Sequence, residues 1–66
     1  MQIHINGESR ELPAPQTVAS LLDAAGYGGR RVAVEVNREI VPRSCHDQHA
    51  LAEGDRVEII QAMGGG

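Results

Sequence analysis

Apolar and polar residues alternate at the start of the chain. Met1, Ile3 and Ile5 are separated by Gln2 and His4, the two-residue period of a strand with one buried face. Asn6-Gly7 follows, and because both residue types tolerate positive φ the pair predicts a type I′ hairpin turn. Glu8 to Leu12 is then the returning strand, ended by Pro13 and Pro15, which have no N–H to give a ladder. Here the period changes. Val18, Leu21, Leu22 and Ala25 share one face of a helix, with Thr17 as its N-cap. Ser20 stands where a capping box takes Glu or Gln, so the cap is expected to be only half built. Gly26 suits the left-handed position after the helix, with Tyr27 over Leu22 in a Schellman arrangement.

After Gly28-Gly29 the two-residue period returns: Val32, Val34 and Val36 alternate with Ala33 and Glu35. Asn37-Arg38 reads as a turn, and Ile40-Val41 as a short strand closed by Pro42 at a sheet edge. Arg43 to Ala52 has no period and is expected to cross the surface as a loop anchored by Leu51. Glu53-Gly54-Asp55 turns into a last strand, Arg56 to Ala62. One apolar helix stripe must cover one face of the sheet, which predicts an α+β fold in two layers. If Val57 and Ile59 face the helix, Glu58 and Ile60 face outward, and alternation adds Glu35, Gln2 and His4 to that face. An outward Ile60 beside Glu58 and Glu35 predicts a partner-docking face.

Length and composition narrow what such a domain can do. Sixty-six residues make one domain, and a chain of this size buries only about 60% of the surface it exposes unfolded. Its core is aliphatic, with no Phe or Trp and one Tyr, and it leaves little room for an enclosed catalytic pocket. No apolar run approaches a membrane span, and the first residues do not read as a cleavable signal. One cysteine cannot form an internal disulfide, so a reducing cytoplasm is the expected compartment. The formal net charge is −3 and all six basic residues are arginine. Nucleic acid is an unfavourable partner for that balance, because phosphate binding needs a cationic face.

The residues that the fold does not explain are the last ones. Domain packing is expected to end at residue 62, leaving 63–66, Met63-Gly64-Gly65-Gly66, as a tail. Three successive glycines add conformational entropy and here have no helix to cap. Fraying would be the plain reading of a glycine-rich end. Glycines that follow the last strand directly also make a thin segment without Cβ atoms, able to thread a narrow channel. The carboxylate of Gly66 is then sterically open to activation as an acyl adenylate.

The chain resembles the ThiS family, the sulfur carriers of thiamine biosynthesis within the β-grasp, ubiquitin-like superfamily. The resemblance rests on Asn6-Gly7 after a first strand, Thr17 to Leu22 at a helix start, Val34 to Asn37, Glu39-Ile40-Val41-Pro42-Arg43, Glu53 to Ile59 and the glycine end. It implies a mixed sheet of about five strands on one helix, and a carrier that is not itself an enzyme. An E1-like adenylyltransferase of the ThiF type would activate Gly66 with ATP. A cysteine desulfurase or other persulfide donor would supply sulfur as a C-terminal thiocarboxylate, and a ThiG-type thiazole synthase would consume it. Met63, Gly64 and Gly65 would thread the partners' active sites, while Ile60, Glu58 and Glu35 would dock, with no cofactor held stably. Terminal glycines are shared with the small subunit of molybdopterin synthase, so sulfur delivery to another metabolite is the alternative within the class. A small RNA-binding module, suggested by Glu53-Gly54-Asp55-Arg56-Val57-Glu58, is the alternative outside it, opposed by the acidic balance and the lack of stacking aromatics.

Two other patterns invite chemistry. Cys45-His46-x-x-His49 offers three metal donors, but structural zinc sites take four in paired spacing, and an ordinary surface loop is expected. Gly26-x-Gly28-Gly29 leaves a helix, whereas a phosphate cradle enters one. Arg30, Arg31, Arg38 and Arg43 read as surface solvation among nine acidic residues.

Overall fold

The computed structural model describes residues 1–61. Its elements run β1 (Gln2–Ile5), β2 (Glu8–Glu11), α1 (Val18–Ala24), β3 (Val32–Val36), β4 (Glu39–Val41), a 3₁₀ turn (Arg43–Cys45) and β5 (Arg56–Gln61). The strands form one mixed sheet in the order β2-β1-β5-β3-β4. β1 and β5 are parallel, with His4 opposite Arg56 and Ile5 opposite Val57. All other neighbours are antiparallel. The expected boundary between residues 62 and 63 lies outside the described residues.

Turn chemistry sets the strand connections. Asn6 and Gly7 both have positive φ, 50° and 85°, the signature of the type I′ hairpin. Asn37 and Arg38 do the same at 52° and 69°, and Asn37 is held there by its side chain. Its amide nitrogen donates to Asp55 Oδ1 at 3.0 Å, and its Oδ1 accepts from the Arg56 amide at 3.0 Å.

The helix is capped at both ends. Thr17 Oγ1 accepts from the Ser20 amide at 3.1 Å, and Ser20 Oγ accepts from the Thr17 amide at 2.9 Å. The capping box is therefore complete, not half built: a serine hydroxyl reaches the N-cap amide as a longer Glu or Gln would. At the other end Tyr27 N donates to Leu22 O at 2.7 Å and Gly26 N to Asp23 O at 3.2 Å. With Gly26 at φ 90° this is the Schellman motif the sequence predicts.

Val18, Leu21 and Leu22 press against Ile3, Ile5, Val34, Val36, Val41, Val57 and Ile59 on one sheet face, and Leu51 closes the side. The segment between Pro42 and Leu51 departs from expectation. Leu51 is buried as predicted, but so is His46, at 8% exposure. Its Nε2 donates to the Val41 carbonyl at 3.1 Å, while the carbonyls of His46 and His49 accept the Ala19 and Val18 amides at 3.0 Å. The loop thus satisfies two helix-start N–H groups that would otherwise lack partners. Thr17→Ala should remove one cap bond and cost about 1 kcal/mol. In a domain of this size that is a fall in melting temperature of about 4–8 °C, readable by circular dichroism; no fall would mean the cap bond contributes nothing.

Candidate functional site

Strand alternation decides which side chains β5 presents. Val57 and Ile59 point to the helix, at 0% and 7% exposure, and Ile60 points away at 55%. Glu58 is exposed on the same outer side, directly opposite Glu35 of β3. The predicted face of Ile60, Glu58 and Glu35 is therefore brought together by the β3–β5 register. Gln2 and His4 lie on it through β1, with His4 opposite Arg56.

One residue of this face escaped the sequence reading. Ile40 is 72% exposed on β4, opposite Glu35. Ala33, exposed on β3, faces Ile60 across one ladder and lies diagonal to Ile40 across the other. Ile40, Ala33 and Ile60 make an apolar stripe across three strands. Its signal was available: Val41 is inward, so its neighbour on a strand must be outward. Along one side of the stripe sit Glu35 and Glu58, like charges on facing positions, an arrangement that disfavours the free sheet slightly. No ion pair within 4 Å joins either carboxylate to Arg38 or Arg56 among the described residues, although all four border the same shallow surface depression with Asn37.

Met63, Gly64, Gly65 and Gly66 lie outside the described residues. What is described is how β5 leads to them. The Ile59 amide donates to Asn6 Oδ1 at 2.8 Å, which ties the strand just before its end to the β1–β2 turn. Cys45 is exposed, and among the described residues no three His, Cys, Asp or Glu side chains are grouped to hold a metal ion. The His46 ring is instead engaged with the Val41 carbonyl. No helix among the described residues is long and apolar enough to cross a membrane.

Five strands in this mixed order grasping a single helix are the ubiquitin-like β-grasp architecture. The same architecture is found in the crystal structure of a thiamine biosynthesis protein, ThiS, from Geobacter metallireducens. That structure superposes with a TM-score of 0.85 at 32% identity, over 100% of both chains. In sequence, the sulfur carrier protein ThiS of Escherichia coli is 35% identical over 100% of both chains. Thiazole synthases of Paramagnetospirillum magneticum and Magnetococcus marinus match all 66 residues at 48% and 38% identity. The chain spans only 20% of the length of those two proteins. The sequence model of the ThiS family matches residues 3–66. The chain belongs to the ThiS family.

The outer position of Ile60 has a direct test. Ile60→Glu should leave the melting temperature within a few degrees of wild type, whereas Ile59→Glu should unfold the domain, since burying an unpaired carboxylate costs several kcal/mol, on the order of its total stability. The reverse ranking in thermal unfolding would place the strand in the opposite register.

Proposed function

We propose that this protein carries sulfur for assembly of the thiazole moiety of thiamine, with the Gly66 carboxylate as the atom group that works. The observation that carries the reading is family membership across residues 3–66, a span that includes the glycine end. The full-length match to a named sulfur carrier supports it. In the thiazole synthases, a segment like this chain and the synthase form a single polypeptide. That supports a ThiG-type synthase as the acceptor here.

The chemistry follows from what a carboxylate lacks. It is a poor acyl donor until its oxygen is converted into a leaving group. Attack of Gly66 on the α-phosphorus of ATP, in an adenylyltransferase of the ThiF type, forms the acyl adenylate and releases pyrophosphate. A persulfide, supplied by a cysteine desulfurase or another donor, then attacks the carbonyl carbon and expels AMP. Cleavage of the resulting acyl disulfide by a thiol leaves the thiocarboxylate, an anionic, polarisable sulfur nucleophile. The carrier supplies no acid or base and is a co-substrate, not an enzyme. It holds no cofactor, and its place is the cytoplasm, where ATP and reduced thiols are present.

Met63, Gly64 and Gly65 thread the partner's channel, and the two glycines, having no Cβ, need the narrowest passage. Ile60, Glu58 and Glu35, extended by Ala33 and Ile40, form the docking face. A partner's apolar group covers the stripe, and a partner's cation between the two glutamates relieves their repulsion.

Removal of Gly65-Gly66 should leave thermal unfolding unchanged and abolish pyrophosphate release with the cognate adenylyltransferase and ATP. Full-rate release from the truncated chain would sink the reading. Cys45→Ala should still accept sulfur at a rate within about twofold of wild type, because the acceptor is an acyl carbon; the margin is that of an ordinary surface substitution. Loss of transfer in a folded Cys45→Ala protein would make that thiol a relay.

A further inference from the structure

β5 has strand neighbours on both sides for only part of its length. β3 accompanies it from Val57 to Gln61, but β1 pairs with it only at Arg56 and Val57. The β1 ladder stops because Asn6 turns away at φ 50°. Its side chain makes the next bond in place of its backbone, taking the Ile59 amide at 2.8 Å. Main-chain groups alternate sides along a strand. The Asn6 amide bonds the Val57 carbonyl and the His4 amide bonds the Asp55 carbonyl, so the odd-numbered residues of β5 face β1. Beyond the Asn6 bond, the Ile59 carbonyl and the Gln61 amide point to a side where no strand lies among the described residues.

The other sheet edges are guarded. β2 presents Glu8, Ser9, Arg10 and Glu11, all exposed, and β4 begins with Glu39 and is followed by Pro42. Charges and proline at edges discourage strand addition. Ile59, Ile60 and Gln61 carry neither. We infer that this half-edge is a pairing site at which an extended segment of the activating enzyme adds to the sheet as a short strand. The inference rests on the sulfur-carrier reading and says how the tail is aimed. Residues 62–66 span at most about 17 Å fully extended, so the adenylating centre must lie within that reach of Gln61. A strand bonded beside Ile59–Gln61 fixes the direction in which the chain leaves the sheet, and main-chain pairing of this kind is a recurrent mode of peptide recognition.

Gln61→Pro tests it, because the lost N–H faces away from β3. Gln61→Ala is the control for the side chain. With the cognate adenylyltransferase and ATP, the expected kcat/KM for pyrophosphate exchange is about tenfold lower for Gln61→Pro. Gln61→Ala should stay within about twofold of wild type, and both variants should melt with wild type. Equal rates for the two variants would overturn the pairing while leaving the carrier reading intact. A wild-type chain that supports no exchange would remove both. If Gln61→Pro does not fold, hydrogen exchange of the wild-type Gln61 amide decides: slowing on complex formation supports the added strand, and an unchanged rate refutes it. A free wild-type dimer that the proline variant dissociates would give the edge to a second copy of this chain, against the proposal.

Discussion

The parallel pairing of β1 with β5 joins residues about fifty positions apart in sequence through very few main-chain bonds. His4 N reaches Asp55 O and Asn6 N reaches Val57 O, both at 2.9 Å. Near the entrance to the seam, the Gln2 amide is held by the Glu53 carboxylate at 3.1 Å and Gly54 N donates to Gln2 O at 2.7 Å. Closing so long a loop costs chain entropy before any contact rewards it. The reward is the burial of Ile3 and Val57, both at 0% exposure, against Val18 and Leu21. Without this seam β2 would hang from β1, and β3 and β4 from β5, as two hairpin pieces with no common core.

The same constraint determines where chemistry can happen. With β5 in the middle of the sheet, its inner side chains are committed to the core. Its outer ones, Glu58 and Ile60, remain available. The core of the described residues is built from valine, leucine and isoleucine, side chains that bring no catalytic group of their own. On the function proposed above, the protein would present its own chain as the substrate, and partners would bring the catalytic groups. Asn6 serves two strands, closing the first hairpin by its backbone and holding the Ile59 amide of β5 by its side chain.

Much of this could be read from residue order because strands and helix here carry undiluted periods. Alternation through Val32, Val34 and Val36, and through Val57 and Ile59, assigned the faces correctly, Ile60 included. The Gly26-Tyr27 helix end was legible because few residue types fit that geometry. What escaped has a common cause: it depends on single contacts between distant residues. Ser20 completes a cap usually described with longer side chains. His46 is buried only because β4 supplies a carbonyl and α1 supplies an amide, which no local pattern encodes. The half-edge of β5 was invisible for the same reason, since it exists only relative to where β1 turns away.

On the proposed function the C-terminal carboxylate, and no side chain, receives the sulfur. Intact-mass spectrometry of the protein after incubation with the cognate adenylyltransferase, ATP, a persulfide donor and a thiol tests it most directly. The expected result is a mass gain equal to one oxygen exchanged for sulfur, located by fragmentation at Gly66 and absent when ATP is omitted. Sulfur found on Cys45, or an unchanged mass in the complete mixture, would contradict it.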